Sequence, residues 1–147
     1  MVNLSLFAER LNDLMAEANI KSEQLGKNIG VDGSTIRRWR RGDGVVNLTN
    51  LVSLSDYFGC AADYLAGRSE VDNNESFTPK PLPPFPLRLR EVLQERGLSR
   101  YLLDKDTKFK DGYFCQWDKG TAPMLPTLIE LADLLDCTID YLIGRET

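Results

Sequence analysis

The sequence contains no histidine, the side chain that most often serves as a general base and as a metal ligand. It also lacks a glycine-rich phosphate loop, a serine nucleophile motif and a carboxylate-rich metal loop. No nucleophile, base and orienting group can be combined into a catalytic set. These absences predict a protein that is not an enzyme, with no cofactor, no metal site and no evident small-molecule ligand.

Cysteines and long apolar segments are also scarce. The three cysteines form no Cys-x-x-Cys pair, which favours buried reduced thiols over a disulfide. No apolar run approaches the roughly 20 residues that cross a bilayer. Glu9, Arg10 and Asp13 lie where a signal peptide would be apolar. We therefore expect a cytoplasmic protein with no membrane contact.

The sequence does contain an internal repeat, in which the segment 7–68 aligns with the segment 85–145. Trp39 and Trp117 lie 78 positions apart, and Asp63 and Asp140 lie 77 apart after a one-residue loop deletion. Further identical pairs are Arg10 and Arg88, Leu11 and Leu89, Leu25 and Leu103, Gly42 and Gly120, Cys60 and Cys137, Tyr64 and Tyr141, Leu65 and Leu142, Gly67 and Gly144, and Arg68 and Arg145. About 60 residues are enough for a small domain, so the repeat predicts two domains, 1–68 and 85–147.

Residues 69–84 differ in composition from both repeats. Polar residues at 72–76 are followed by Pro79, Pro81, Pro83 and Pro84. Proline favours extended polyproline conformation, so we interpret this segment as a semi-rigid linker rather than a proline-rich ligand for another domain. At about 3.1 Å per residue it can span up to roughly 50 Å.

Apolar residues recur at helical spacing, and no alternating strand pattern of useful length is present. We expect an all-α fold with five short helices in each repeat. The second helix is predicted at about 22–29, with its counterpart at about 100–107. The third is predicted to begin after Asp32 as its N-cap and to reach Arg41, with Gly42 and Gly120 as left-handed C-cap residues. Asp63 and Asp140 are predicted to cap the last helix of each repeat.

Helix two, a turn through Gly30 and Val31, and helix three form a candidate helix-turn-helix. The order and spacing of these signals resemble the lambda-repressor-like DNA-binding domains, the Cro and xenobiotic-response-element family of bacterial and phage regulators. In the first repeat the matching residues are Leu25, Gly30, Val31, Ser34, Thr35, Ile36, Trp39, Gly42, Leu51, Leu54 and 63–68. In the second they are Leu103, 117–120, Leu128, Leu131, Ala132 and 140–145. The resemblance covers nearly the whole chain except the linker and implies tandem helix-turn-helix domains.

The resemblance also implies that helix three lies in the major groove of double-stranded DNA, the expected partner. Candidate base-contacting residues at its start are Gly33, Ser34, Thr35, Arg37 and Arg38. Arginine can donate two bonds to guanine, and Arg38 is the better candidate for base contact. The alternative is that these arginines form an ordinary solvated face. Trp39 and Trp117 are favoured as core residues.

Other side chains are candidates for phosphate contacts. Ser22 and Gln24 lie at the start of helix two, while Arg40 and Arg41 extend the arginine cluster of helix three. That cluster matters because the formal charge is −4, and the field that attracts DNA is local. In the second repeat the DNA-binding candidates are Arg100, Lys108, Lys110, Tyr113, Gln116 and Lys119. Of these, Gln116 could bind adenine, and Tyr113 could contact phosphate or a thymine methyl group.

Two departures from the family pattern modify these expectations. An arginine in helix one commonly pairs with an acidic residue late in helix three, as Arg88 and Asp118 can do. The first repeat has Arg10 and Arg40 at these positions, so we expect Arg40 to turn outward. The loops after helix three contain no lysine or arginine, and Val45, Val46 and Met124 in these loops are candidates for a protein interface.

These patterns predict a sequence-specific DNA-binding transcriptional regulator, most simply a repressor. The competing hypothesis is a protein-interaction or antitoxin-type module that keeps the fold, with the second domain used for self-association or partner binding. The second repeat is either another DNA-contacting domain or a degenerate copy. Because the repeats differ, we do not expect one chain to bind a simple palindrome, and a homodimer is the candidate assembly that would supply palindromy.

Overall fold

A computed structural model describes residues 5–70, 81–99 and 111–145, with the backbone alone for residues 5 and 111–114. The described residues are helical and contain no strand, which confirms the all-α prediction. The helices are α1 Ser5–Ala18, α2 Ser22–Ile29, α3 Gly33–Arg41, α4 Leu48–Phe58, α5 Ala62–Leu65, α6 Phe85–Glu95, α7 Asp111–Asp118, α8 Leu125–Leu134 and α9 Ile139–Leu142. Among these residues no helix is long and apolar enough to cross a membrane.

The first five helices share a core built from the apolar faces that the sequence predicts. Phe7 on α1 meets Trp39 on α3 edge to face, with 6.3 Å between ring centroids. Leu25 from α2 and Leu51 from α4 are fully buried in the same core. Trp39 is only 3% exposed, so its predicted core role is confirmed.

The ends of α2 and α3 follow the predicted turn chemistry in most respects. Gly30 and Gly42 have φ angles of 83° and 78°, the left-handed conformation that favours glycine after a helix. Asp32 occupies the N-cap position of α3 with extended backbone, but its side chain accepts no capping hydrogen bond. The position of this cap was therefore predicted correctly and its hydrogen bond was not.

The later helices repeat the central packing of the first five. Phe85 on α6 meets Trp117 on α7 edge to face, with 5.3 Å between centroids and an angle of 87° between rings. Leu89 and Leu128 are buried in this core. The helix predicted at about 100–107 and most of the predicted linker lie outside the described residues.

The two groups of helices contact each other through α4 against α8 and α5 against α9. An isolated antiparallel bridge joins Asn47 to Met124 in the loops that precede α4 and α8. Asp63 and Asp140 do cap the last helices, but each carboxylate caps the helix of the other group rather than its own. Sequence reasoning missed this exchange because it treated each repeat separately.

The cysteines differ in exposure. Cys60 is buried and Cys137 is half-buried, whereas Cys115 is exposed on α7. The prediction that the thiols are buried is therefore wrong for Cys115.

Candidate nucleic-acid interface

The segment from α2 to α3 has the compact geometry of a helix-turn-helix. Leu25 and Ile36 are fully buried between the two helices and α1. Gly26 lies where the turn crosses α2, and a Cβ atom there would collide with the carbonyl oxygen of Val31. The turn therefore packs directly on the α2 backbone, which fixes how far α3 stands out from the domain.

The outer face of α3 carries the predicted DNA-binding side chains. Ser34, Arg37 and Arg38 are exposed, and Gly33 and Thr35 are half-buried. Arg41 is exposed in the last turn, which contains three arginines. The opposite face is buried through Ile36 and Trp39, so the solvent-facing surface of α3 is strongly basic.

Two of the exposed arginines have acidic partners within the domain. Arg37 pairs with Glu23 of α2 at 2.6 Å, and Arg41 pairs with Asp43 at 3.0 Å. Both pairs are exposed, and such pairs contribute little to stability, on the order of 1 kcal/mol or less. Among the described residues, the guanidinium of Arg38 forms neither a hydrogen bond nor an ion pair, so it is available to a ligand.

The structure confirms that Arg40 turns outward. Its side chain is exposed, and its Nε donates to Asn12 Oδ1 at 2.6 Å while a terminal nitrogen donates to Ser22 Oγ at 3.1 Å. Arg10 instead stacks on the ring of Tyr64 at 4.3 Å and pairs with Glu70 at 3.5 Å. The two arginines therefore do not compete for one site, because each has its own polar partners.

The candidate phosphate contacts at the start of α2 differ in accessibility. Gln24 is exposed. Ser22 is only 7% exposed, and its hydroxyl accepts the bond from Arg40. A phosphate at this helix start would therefore meet the exposed Arg40 guanidinium before the Ser22 hydroxyl.

In the second group of helices, Gln116 on α7 and Lys119 just after it are exposed. Tyr113 lies within α7, where the backbone alone is described. The candidates Arg100, Lys108 and Lys110 lie outside the described residues. Of the side chains predicted for this site, the structure therefore describes only those of Gln116 and Lys119.

The expected pair between Arg88 and Asp118 is wrong. The described contacts of Arg88 are a pair with Glu91 at 3.3 Å, two hydrogen bonds to the carbonyl oxygen of Tyr141 and stacking on the Tyr141 ring at 4.6 Å. Arg88 is 8% exposed, so the carbonyl and the ring replace solvent around its charge. The equivalent Arg10 stacks on Tyr64, so ring stacking is the feature that the two arginines share.

Asn47 and Asn50, at the start of α4, are two polar residues beside α3 that were not predicted from the sequence. They line a polar hollow together with Thr35 and Arg38. Asn47 caps α4, since its Oδ1 accepts from the backbone N–H of Asn50 at 2.9 Å. The signal was present in the sequence, because asparagine directly before an apolar helical segment is a favoured N-cap.

No potential metal cluster of three or more Asp, Glu or Cys side chains occurs within the described parts of the chain.

Comparison with known proteins identifies the same segment. Residues 11–65 match the family model described as Helix-turn-helix. An HTH-type transcriptional regulator from Haemophilus influenzae is 31% identical over 100 residues, which are 66% of this chain and 41% of the relative. The transcriptional repressor RstR of the cryptic phage CTXphi, from Vibrio cholerae, is 27% identical over 86 residues, 58% of this chain and 70% of the relative.

The chain thus spans less than half of the first relative's length. No solved structure gives a significant match to the chain. The matched residues include the α2–turn–α3 segment, the basic outer face of α3 and the polar start of α4. Residues 11–65 therefore form a helix-turn-helix domain, and its relatives are transcriptional regulators.

Proposed function

We propose that this protein is a sequence-specific regulator of transcription that binds double-stranded DNA and acts as a repressor. The observation that carries the proposal is the exposed basic face of α3, where the guanidinium of Arg38 forms no hydrogen bond or ion pair among the described residues. A helix of this kind fits the major groove, which an α-helix can enter. One of the relatives is a transcriptional repressor, which supports the proposal that this protein represses transcription.

We further propose a tandem architecture with domains 1–68 and 85–147 joined by the linker 69–84. The support is the repeated sequence together with the equivalent Phe7–Trp39 and Phe85–Trp117 ring contacts in the two groups of helices. In this arrangement α3 and α7 are equivalent helices. Their outer faces differ, so the two domains have different preferences for bases.

Base contacts in the first domain are assigned to the start and middle of α3. Arg38 donates two parallel hydrogen bonds to guanine, while Ser34 and Thr35 contact neighbouring base edges. Arg37 is held by Glu23 in the free protein and exchanges that exposed pair for DNA. Gly33 lets the start of α3 pack closely on α2, because a Cβ atom there would lie 2.7 Å from the Glu23 side chain.

Phosphate contacts position α3 but do not distinguish sequences. We assign this role to Arg40, Arg41 and Gln24, with Ser22 acting through Arg40. Each phosphate that the protein neutralises releases counterions, so affinity should fall steeply as salt increases. Because the loop 42–47 contains no lysine or arginine, we expect fewer such contacts than a more basic loop would provide.

The test is selection of bound duplexes from a random pool, followed by affinity measurements on the selected DNA. The double variant Arg37→Ala, Arg38→Ala should lose specific binding, because a good bidentate contact contributes about 1–3 kcal/mol of discrimination. Arg90→Ala is the control, since it removes an exposed arginine from α6 and leaves α3 intact. Failure to enrich any sequence, or equal effects of the two variants, would overturn the proposal.

A second candidate function is a protein-interaction or antitoxin-type module. The observation that favours it is the exposure of Val45 and Met124, at 48% and 45%, in the loops that lack basic residues. In that case the second domain would serve self-association or partner binding, and salt would have little effect on complex formation. A homodimer would be one product of such contacts.

A further inference from the structure

The loops that follow α3 and α7 are joined by a reciprocal pair of backbone hydrogen bonds. The amide of Leu48 donates to the carbonyl oxygen of Pro123 at 2.8 Å, and the amide of Leu125 donates to that of Val46 at 2.9 Å. Val46 and Pro123 are 77 positions apart, as are Leu48 and Leu125. The two bonds are therefore equivalent, with the repeats exchanging the roles of donor and acceptor.

The short helices α5 and α9 repeat this reciprocity through their carboxylates. Asp140 accepts from the amides of Ala62 and Asp63 at 3.1 and 3.0 Å. Asp63 accepts from the amides of Ile139 and Asp140, both at 2.9 Å. Each carboxylate thus satisfies the free N–H groups at the start of the opposite helix, where a negative charge is also favoured.

A third pair of contacts lies outside these caps. Arg68 binds Asp133 of α8 at 2.9 Å, and the equivalent Arg145 binds Asp56 of α4 at 2.9 Å. The Arg145 side chain is only 6% exposed and that of Asp56 is 40% exposed, so this pair lies at the border of the contact. Val46, at the bridged loop, is also only 1% exposed. The candidate protein interface at this residue therefore lies within the chain.

When residue i of one unit meets j of the other, and j of the first meets i of the second, the contact is isologous and defines a two-fold axis. All three pairs of contacts between the halves have this property. The two groups of helices are therefore related by a pseudo-two-fold axis through the bridged loops. A two-fold rotation keeps equivalent points at equal height along its axis, so α3 and α7 lie at the same level on opposite sides.

The chain length between each helix and the axis limits their separation. Arg41 ends α3 five positions before Val46, and Asp118 ends α7 five positions before Pro123. Five residues span at most about 17 Å, and the bridge adds about 5 Å, so the two helix ends are at most roughly 40 Å apart. Successive half-sites on one face of DNA, about 34 Å apart, lie within this limit.

The outer face of α7 offers different chemistry at the equivalent position. Gln116 precedes Trp117 as Arg38 precedes Trp39, and both Gln116 and Arg38 are exposed. Glutamine can make two hydrogen bonds to adenine, whereas arginine makes them to guanine. Lys119 adds an exposed cation at the end of α7. The same geometry therefore presents two helices with different base preferences.

We propose that one chain occupies two unlike half-sites, with α3 and α7 held as a fixed pair by the pseudo-two-fold contact between the halves. This inference rests on the proposed function and extends it to the stoichiometry and layout of the DNA site. The two-fold contact between the halves is made within the chain. A single chain therefore supplies both DNA-contacting helices.

The fixed pairing can be tested on the selected duplex by inserting five base pairs between the two half-sites. This insertion rotates them by about half a helical turn, so a rigid pair of helices can contact only one of them. We expect one chain per duplex by light scattering, and at least a tenfold loss of affinity on insertion. Unchanged affinity on insertion, or two chains per duplex, would overturn the inference.

The role of α7 is tested by Gln116→Ala, with Gln94→Ala on the exposed face of α6 as the matched control. Gln116→Ala should relax base preference in one half-site by about tenfold and leave the other unchanged, whereas Gln94→Ala should alter neither. A selected sequence with a single half-site would overturn this inference but leave the proposed function intact. Selection of no sequence would overturn both.

Discussion

Asp140 shows how the chemistry of one residue depends on a surface that belongs to another part of the chain. It is 2% exposed, and burial together with a hydrogen bond to the Asp63 side chain raises the pKa of Asp140 to about 7. The amides of Ala62 and Asp63 oppose this rise, because they stabilise the charged form. The contact between α5 and α9 therefore includes a carboxyl group that titrates near neutral pH.

This titration gives the first prediction. The pKa of Asp140 rises from 3.8 to about 7 on folding, so folding favours its protonated form. Its contribution to stability is complete below about pH 4 and is lost as pH rises through 7. The free energy of unfolding of the wild-type chain, measured in urea, should therefore fall between pH 5 and pH 7.5. The chain contains no histidine whose own titration would mask the effect.

Asp140→Ala is the variant that checks the assignment. It should be less stable than the wild type, because the amides of Ala62 and Asp63 lose their acceptors at a cost of about 1–3 kcal/mol each. It should also lose most of the pH dependence. The charged groups that remain around the site are Asp63, Arg68, Arg145, Asp56 and Asp133. If the free energy of unfolding of Asp140→Ala depended on pH as it does in the wild type, the titrating group would be another residue.

At the scale of elements, the α2–turn–α3 segment depends on close backbone packing. Glycine inside a helix ordinarily costs roughly 1 kcal/mol relative to alanine. Gly26 nevertheless lies buried within α2. The position requires glycine, because a Cβ atom there would collide with the carbonyl oxygen of Val31 and approach the backbone of Asp32. Helix propensity thus predicts that Gly26→Ala stabilises the protein, whereas packing predicts that it destabilises the protein.

We predict that packing decides the outcome. Gly26→Ala should lower the free energy of unfolding by about 1–3 kcal/mol, the usual cost of overpacking, as measured by urea denaturation. Lys27→Ala, at the next and exposed position of α2, is the matched control and should have little effect. If Gly26→Ala were as stable as the wild type or more stable, the turn would not be fixed against α2 in the manner described.

Much of this element was predictable from the sequence, and the reasons are local. The apolar spacing and Gly30 and Gly42 at the helix ends predicted α2 and α3 closely, because these signals act within a few residues. The partners of Arg88 were not predictable in this way. They depend on how α6 approaches the end of α9, which no local pattern specifies.

At the scale of the whole molecule, the repeat predicted equivalent helices but not how the two groups meet. A repeated sequence is compatible with separate domains on a flexible linker or with a contact between equivalent surfaces. The exchange of caps between Asp63 and Asp140 favours the second arrangement. The candidate DNA-binding surface was easier to predict from the sequence, since helical spacing places the arginines of α3 opposite its apolar face.

Methylation interference on the selected duplex is the decisive test of whether Arg38 on α3 contacts guanine in the major groove. Methylation of guanine N7 blocks the acceptor that arginine uses, so specific guanines should interfere with binding of the wild-type chain. Interference at one of them should disappear with Arg38→Ala and persist with Arg90→Ala. No interfering guanine, or the same pattern for Arg38→Ala as for the wild type, would show that Arg38 does not contact guanine.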